Sequence, residues 1–321
     1  MHIPDGFLDA KTAIATAVFS VAGLGTALRH AKQHLQSREI PLVGLTAAFI
    51  FVAQMLNFPV AGGTSGHLIG ATLAMVLLGP NAAIIVMSSV IIIQAAIFAD
   101  GGLLALGANI FNMAIVAPVS SYVIYKTLRG LLRNIRGKLI SASVASWCAT
   151  VIASVFCAGE LALSGTVAWN IVLPAMVGIH AVIGIGEGVI TMLVLSAIAK
   201  TRPELLTDIS SQKNRKENKP ILIYGVVIVI GLLLFVAPFG SQLPDGLDQV
   251  AHSLGFETKK IENIGFSTPL NNYRFFGIES PILSTIAAGI TGASVVFVIS
   301  FLLAGILIPR KKDMDNSPHS T

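Results

Sequence analysis

The residues with the clearest chemical signature open the chain, MHIPDGFLD. A free amine on Met1, the backbone nitrogen of His2 and Nδ1 of its imidazole can close two fused chelate rings about one metal ion, three nitrogens in a plane. A fourth nitrogen completes a square, the arrangement that Ni(II) and Cu(II) prefer. Binding there displaces protons from the amine and the amide. These nine residues lack the order of a secretory signal, so they are expected to stay in the mature protein, with the bulky His2 keeping Met1 from removal. His67 is the choice for the fourth nitrogen, on grounds of topology given below.

Other polar residues fall where hydrocarbon makes them costly. His180 and Glu187 lie seven apart on one helical face of a long apolar stretch, a setting in which ionisable groups are usually functional. Seven residues is about 10 Å of helix, so each needs its own partners, in metal access or in coupling between helices. Asn109 and Asn112 read either as bundle packing or as orienting a ligand histidine from outside the coordination shell. Gln54, Asn57 and Gln94 read as hydrogen-bonding glue between helices. Asp5 and Asp9 read as anchors or caps of the first helix rather than metal ligands. His30 and His34 stand at a solvated basic helix end, while His252 and His319 fall in a loop and a polar tail. Cys148 and Cys157, nine apart in one apolar run, suit neither a disulfide framework nor a zinc site and read as core packing.

These residues need elements to position them, and composition says which kind. A chain of 321 residues that is 54% hydrophobic and 12% charged lies outside the range of water-soluble domains and reads as a membrane protein. Apolar runs near 8–28, 40–58, 81–99, 103–125, 140–162, 171–199, 221–239 and 281–308 are each long enough to cross about 30 Å of hydrocarbon. A shorter run at 67–79 reaches only about 20 Å as a helix and cannot cross alone. The preceding AGGTSG (61–66) is therefore expected to dip inside the bundle, with Thr64 or Ser65 capping a helix that His67 opens.

The net charge of +5 is a matter of topology. All but four of the 21 Lys and Arg, the exceptions being Lys11, Lys259, Lys260 and Arg274, fall in alternate connections and at the C-terminal end. The positive-inside rule then puts the N-terminus outside and the C-terminus in the cytoplasm. Nucleic acid drops out as a partner, and Met1 and His67 come to the same face. The fold expected is all-α: a seven-span helical bundle with an inserted N-terminus over residues 1–200, a cytoplasmic linker at 201–220, a two-span module over 221–310 with an extracytoplasmic segment at 240–279, and a polar tail at 311–321. A faint echo joins the modules, IPDGFLD at 3–9 and LPDGLDQ at 243–249, and is read as turn chemistry.

MHIPDGFLD at the start, GTSGHLIG at 63–70, NMAIVAP at 112–118 and HAVIGIGEG at 180–188 together resemble the CbiM/NikM family, the substrate-capture components of energy-coupling-factor cobalt and nickel transporters. PDGLDQVA at 244–251 resembles a PDGLE-type companion, so the resemblance covers most of the chain apart from the linker and the last ten residues. It implies that Met1, His2 and His67 hold the metal, with nickel(II) or cobalt(II) as transported substrate. It also implies a membrane coupling (T) subunit and two cytoplasmic ATPase subunits as partners, and no catalysis by this chain.

The residues themselves speak against other classes. No GxxxxGK[ST] phosphate loop is present, so a motor must come from outside. The paired-histidine signature of a secondary permease is missing, as is HExxH, and the carboxylates form no clustered acid–base pair of an intramembrane metalloenzyme. A nitrogen chelate also holds its ion too tightly for a channel. The expectation is nickel capture at the outer face, with cobalt as the alternative metal and a secondary divalent-metal permease as the alternative mechanism.

Overall fold

The computed structural model describes residues 1–132, 134–206, 219–261 and 268–307; most of the expected linker, the polar tail and His319 lie outside the described residues. After an extended N-terminal segment come α1 (Ala10–His34), α2 (Ile40–Met55), a hairpin of β1 (Asn57–Val60) and β2 (Thr64–His67), and α3 (Ala71–Leu78). Next are α4 (Pro80–Phe98), α5 (Leu106–Leu131), α6 (Ile135–Leu163) and α7 (Trp169–Thr201). The second module holds α8 (Lys219–Phe235), α9 (Gly246–Leu254) and α10 (Pro281–Leu307). Among the described residues, eight helices are long and apolar enough to cross a membrane; α3 and α9 are the short ones. The protein is a mostly helical, multi-pass membrane protein.

Local chemistry starts these helices where they start. Asp9 accepts the Thr12 amide and caps α1, Asn134 accepts from Gly137 to cap α6, and Asp245 accepts from Asp248 to cap α9. Proline at the first position opens α4 and α10, where its missing N–H is no loss. The outer surface carries Ile14, Val18 and Phe19 on α1 and Ile185 and Leu193 on α7 in exposed positions, a surface suited to hydrocarbon rather than water. Polar side chains such as Gln94, Ser141, Thr191 and Glu187 are buried instead. Cys157 is buried, Cys148 is half-buried, and both are free thiols.

The two modules share one core. Gly292 of α10 meets α2 and α4 so closely that a Cβ there would stand 2.1 Å from Phe51 and 2.7 Å from Phe98. A Cβ on Gly225 of α8 would lie equally tight against Leu45, at 2.2 Å, and one on Gly44 of α2 less so beneath Phe297, at 3.1 Å. Small residues let helices approach where apolar solvent gives them no reason to aggregate.

The structure corrects the expected start of the short helix. Residues 64–67 are not its cap but strand β2, paired antiparallel with β1 so that Asn57 faces His67 and Val60 faces Thr64. The helix begins at Ala71 after Gly70, whose φ of +78° excludes most side chains. Two things hold the chain extended this far. The Ser65 amide donates to Pro244 O at 2.8 Å, and the Ile69 and Gly70 amides donate to Glu187 Oε2 at 2.6 Å and Oε1 at 3.0 Å. A buried carboxylate on α7 thus does what a local Thr or Ser was expected to do, and it fixes the segment that presents His67.

Because the modules interlock through α2, α8 and α10, a chain cut at a protease site inserted within 207–218 should elute as one particle in detergent. Separation of the two fragments on gel filtration would contradict the shared core.

Candidate metal centre

The N-terminal segment is threaded into the bundle, with Met1, His2, Ile3 and Phe7 all buried. Its backbone is paired almost residue by residue. Ile3 N–H donates to Asn109 Oδ1 at 2.7 Å, and Ile3 O accepts from Asn109 Nδ2 at 3.0 Å and from the Gly102 amide at 2.8 Å. Asp5 accepts the amides of Leu103, Leu104 and Ala105, and its own carbonyl accepts from Ile261 of the second module. Gly6 adopts φ +93°, and a Cβ there would lie 2.1 Å from Lys259 O. Only glycine fits between the two modules at this point.

This path delivers the Met1 amine to the His67 ring: Met1 N lies 3.1 Å from His67 Nε2, and the His2 and His67 rings stand 5.0 Å apart between centroids. The amine also donates to Asp245 Oδ2 at 2.8 Å, an ion pair supplied by the PDG turn of the second module. Thr64 and Ser65 hydroxyls donate to Leu243 and Pro244 carbonyls, so the same turn is docked on the strand that carries His67.

His2 closes a ring of hydrogen bonds. Gln94 Nε2 donates to Tyr273 Oη at 3.2 Å, and Tyr273 Oη donates to Asp100 Oδ2 at 2.6 Å. With its amide committed that way, Gln94 turns Oε1 to His2 Nε2 at 3.2 Å and so selects the tautomer protonated at Nε2. That leaves the Nδ1 lone pair facing Asp100 Oδ1 at 3.3 Å. A lone pair aimed at a carboxylate is the setting for a cation rather than for a neutral partner. Tyr273 itself is held by stacking on Phe98, 4.8 Å between centroids.

Electrostatics follow from this burial. Burial opposes charge on the Met1 amine, but the Asp245 and Asp100 carboxylates outweigh it and raise its pKa. Burial likewise pushes Asp245 up, and the Met1 ammonium more than reverses this, holding it below the usual carboxylate range. His67 is pushed down to about 3 by burial and then by the Met1 charge, and His2 is lowered by burial against the pull of Asp100. Both imidazoles are neutral at physiological pH and carry free lone pairs. A polar cavity of about 410 Å³ opens onto the group and is lined by His2, His67, Asp100, Asp245, Asp248 and Lys260 among others. Burial, with Asp245 nearby, raises Asp248 to about 6.

The structure brings Met1, His2 and His67 together, and Asn109 sits beside them. It grips the main chain of Ile3, however, rather than orienting an imidazole. Asn112 donates to Glu160 Oε2 at 2.7 Å and touches neither histidine. Glu187 positions the His67 segment, and His180 Nδ1 bonds its own helix at Met176 O, 2.8 Å. Gln94, read as glue, instead sets the His2 tautomer. Asp100, Asp245 and Tyr273 were not singled out. The echoed PDG turn was the one signal for Asp245, because Asp5 and Asp245 bring both copies to this place.

Residues 2–205 match the family described as CbiM, cobalt uptake substrate-specific transmembrane region, and residues 219–309 match the PDGLE domain. A putative fused nickel transport protein NikMN of Archaeoglobus fulgidus is 36% identical over 306 residues, 94% of this chain and 98% of that one. A fused nickel transport protein NikMN of Rhodobacter capsulatus is 35% identical over 221 residues, 64% of each chain. A crystal structure of a truncated transition metal transporter is 36% identical and superposes with a TM-score of 0.57, covering 62% of this chain and 99% of the other.

Asn109→Ala strips two hydrogen bonds from a buried backbone and should cost about 2–4 kcal/mol in thermal unfolding. Gly6→Ala should expel the segment, so that an amine-selective reagent labels Met1 in the variant but not in the parent. Equal labelling of the two would count against the seating described.

Proposed function

Because this chain belongs to the CbiM family of metal-transport proteins and carries a PDGLE domain after it, we propose that it is the metal-capture subunit for Ni(II) uptake. The coarser statement, a nickel or cobalt transport component, follows from family and relatives alone. The proposed ligands are the Met1 amine, the His2 amide nitrogen, His2 Nδ1 and His67 Nε2.

The observation that supports this most is the 3.1 Å between Met1 N and His67 Nε2. Adjacent corners of a square with metal–nitrogen bonds of about 2.0 Å lie about 2.8 Å apart, so a small closure brings both onto one ion. The Nε2-protonated tautomer of His2 frees Nδ1 for the third corner. Its contact to Asp100 and that of the amine to Asp245 are then replaced by contacts to the ion, with both carboxylates remaining close enough to offset the positive charge. The 410 Å³ cavity, with Asp100, Asp245 and Asp248 in its wall, is the proposed approach route. A planar four-nitrogen set favours d⁸ Ni(II), and Co(II) is the alternative cargo.

Capture of this strength needs an energy source to reverse it. The sequence holds no phosphate loop, so the proposal assigns ATP hydrolysis to two cytoplasmic ATPases acting through a membrane T subunit. The N-terminus and the capture site face outward and the C-terminus faces the cytoplasm, by the distribution of Lys and Arg. Residues 1–200 form the capture domain, 201–220 a cytoplasmic linker and 221–310 a module that completes the site from above.

One residue added before Met1, or His2→Ala, should abolish high-affinity Ni(II) binding by calorimetry while leaving the protein inserted and monodisperse; normal binding by the extended chain would refute the chelate. Affinity should also depend steeply on pH. Two protons leave, from the amine and the amide, so apparent affinity should rise by up to about 100-fold per pH unit until the amine pKa is passed. Asp245 holds that pKa high, so Asp245→Asn should move the flattening of the profile to lower pH. A profile unchanged in Asp245→Asn would show that the ion pair does not govern proton competition.

A further inference from the structure

Beneath the proposed capture site lies a cavity of about 10 Å³, room for one water, walled by Met1, His67, Thr150, His180, Asp245 and Gly246. His180 is 2% exposed. Its Nδ1–H is committed to Met176 O at 2.8 Å, so Nε2 carries the lone pair, and that nitrogen has no hydrogen-bond partner among the described residues. An imidazole held through one nitrogen by a backbone carbonyl with the other left bare is arranged as metal-binding histidines are. Leaving a buried nitrogen unpaired is costly, so Nε2 is set to take a water or a metal ion at the adjoining cavity.

Thr150, in the wall of this cavity, donates to Ser146 O at 3.1 Å. Farther along the α6–α7 interface, Ser146 Oγ lies 3.3 Å from Glu187 Oε1 and 3.1 Å from Thr191 Oγ1, in an interior that is otherwise apolar. His180 lies on the same helix as Glu187 and Thr191 and shares the wall of the cavity with His67.

We propose that His180 is the next nitrogen ligand on the inward path of the metal, taking the fourth corner through Nε2 when His67 gives up the ion. The bond from the metal to His67 Nε2 breaks and one to His180 Nε2 forms. Both imidazoles are neutral ligands, so charge and proton count do not change in the exchange. The inference rests on the capture site proposed above, which it extends by one step.

The test uses the purified full-length chain with Cu(II) as the probe for electron paramagnetic resonance, in which nitrogen hyperfine structure reports the number of coordinated nitrogens, and Ni(II) for calorimetry. His180→Ala alone should leave Ni(II) affinity within about threefold of the parent, since four nitrogens are already in place. His67→Ala should retain a four-nitrogen Cu(II) spectrum with Ni(II) affinity lowered about 10- to 100-fold, and His67→Ala/His180→Ala should fall to three nitrogens. Added imidazole should restore the fourth in the double variant, which shows that the fold survives. Identical spectra from His67→Ala and the double variant overturn the assignment of His180. A parent chain without the nitrogen pattern, or a His2→Ala chain that keeps it, overturns the capture site itself, and the two failures are distinct.

Discussion

A charged amine buried in the middle of a helix bundle must be answered by partners, and here the answer organises everything around it. Met1 N has the Asp245 carboxylate at 2.8 Å and the His67 ring at 3.1 Å. Without Asp245 the ammonium would be an uncompensated charge, typically a loss of about 3–5 kcal/mol. Yet the pair is a poor permanent arrangement, because a cation at the same place satisfies carboxylate and nitrogens together. The bundle spends its polar groups on keeping this one terminus in register, through Asn109 at Ile3, Asp5 at the 103–105 amides, and Gly6 under Lys259 O.

The second module is part of that device rather than an appendage. Its Asp245 meets the amine, its Leu243 and Pro244 carbonyls hold the strand that carries His67, and its Tyr273 closes the ring that sets the His2 tautomer. The helices beneath interlock with the body through Gly292 and Gly44. The PDGLE domain that follows the CbiM region therefore supplies one half of a single polar centre in this chain.

Much of this was legible in the sequence, for identifiable reasons. Helices crossing hydrocarbon announce themselves by length and apolarity, and His2 next to the terminal amine marks the amino end as a candidate chelate. The meeting of Met1 with His67 followed from the alternation of basic connections. What escaped were features set by tertiary partners. Residues 64–67 look like a helix cap because Thr and Ser cap helices, but they pair with β1, Pro244 accepts the Ser65 amide, and Glu187 holds the Ile69 and Gly70 amides that follow. Gln94 resembles any buried amide until Tyr273 takes its N–H and turns its oxygen toward His2. Asp245 was visible only as an echo of Asp5, because a Pro-Asp-Gly turn carries no trace of what its carboxylate will face.

The reach of these contacts along the chain bears on what each module contributes. Asp245 meets the Met1 amine across 244 positions, and Tyr273 meets Asp100 across 173. The counter-ion is the cap of α9, so it belongs to the second module, whereas Asn109 and the 103–105 amides that grip the terminal peptide belong to the first. A chain stripped of the second module would keep the seat of its terminal peptide and leave the ammonium there without its carboxylate at 2.8 Å.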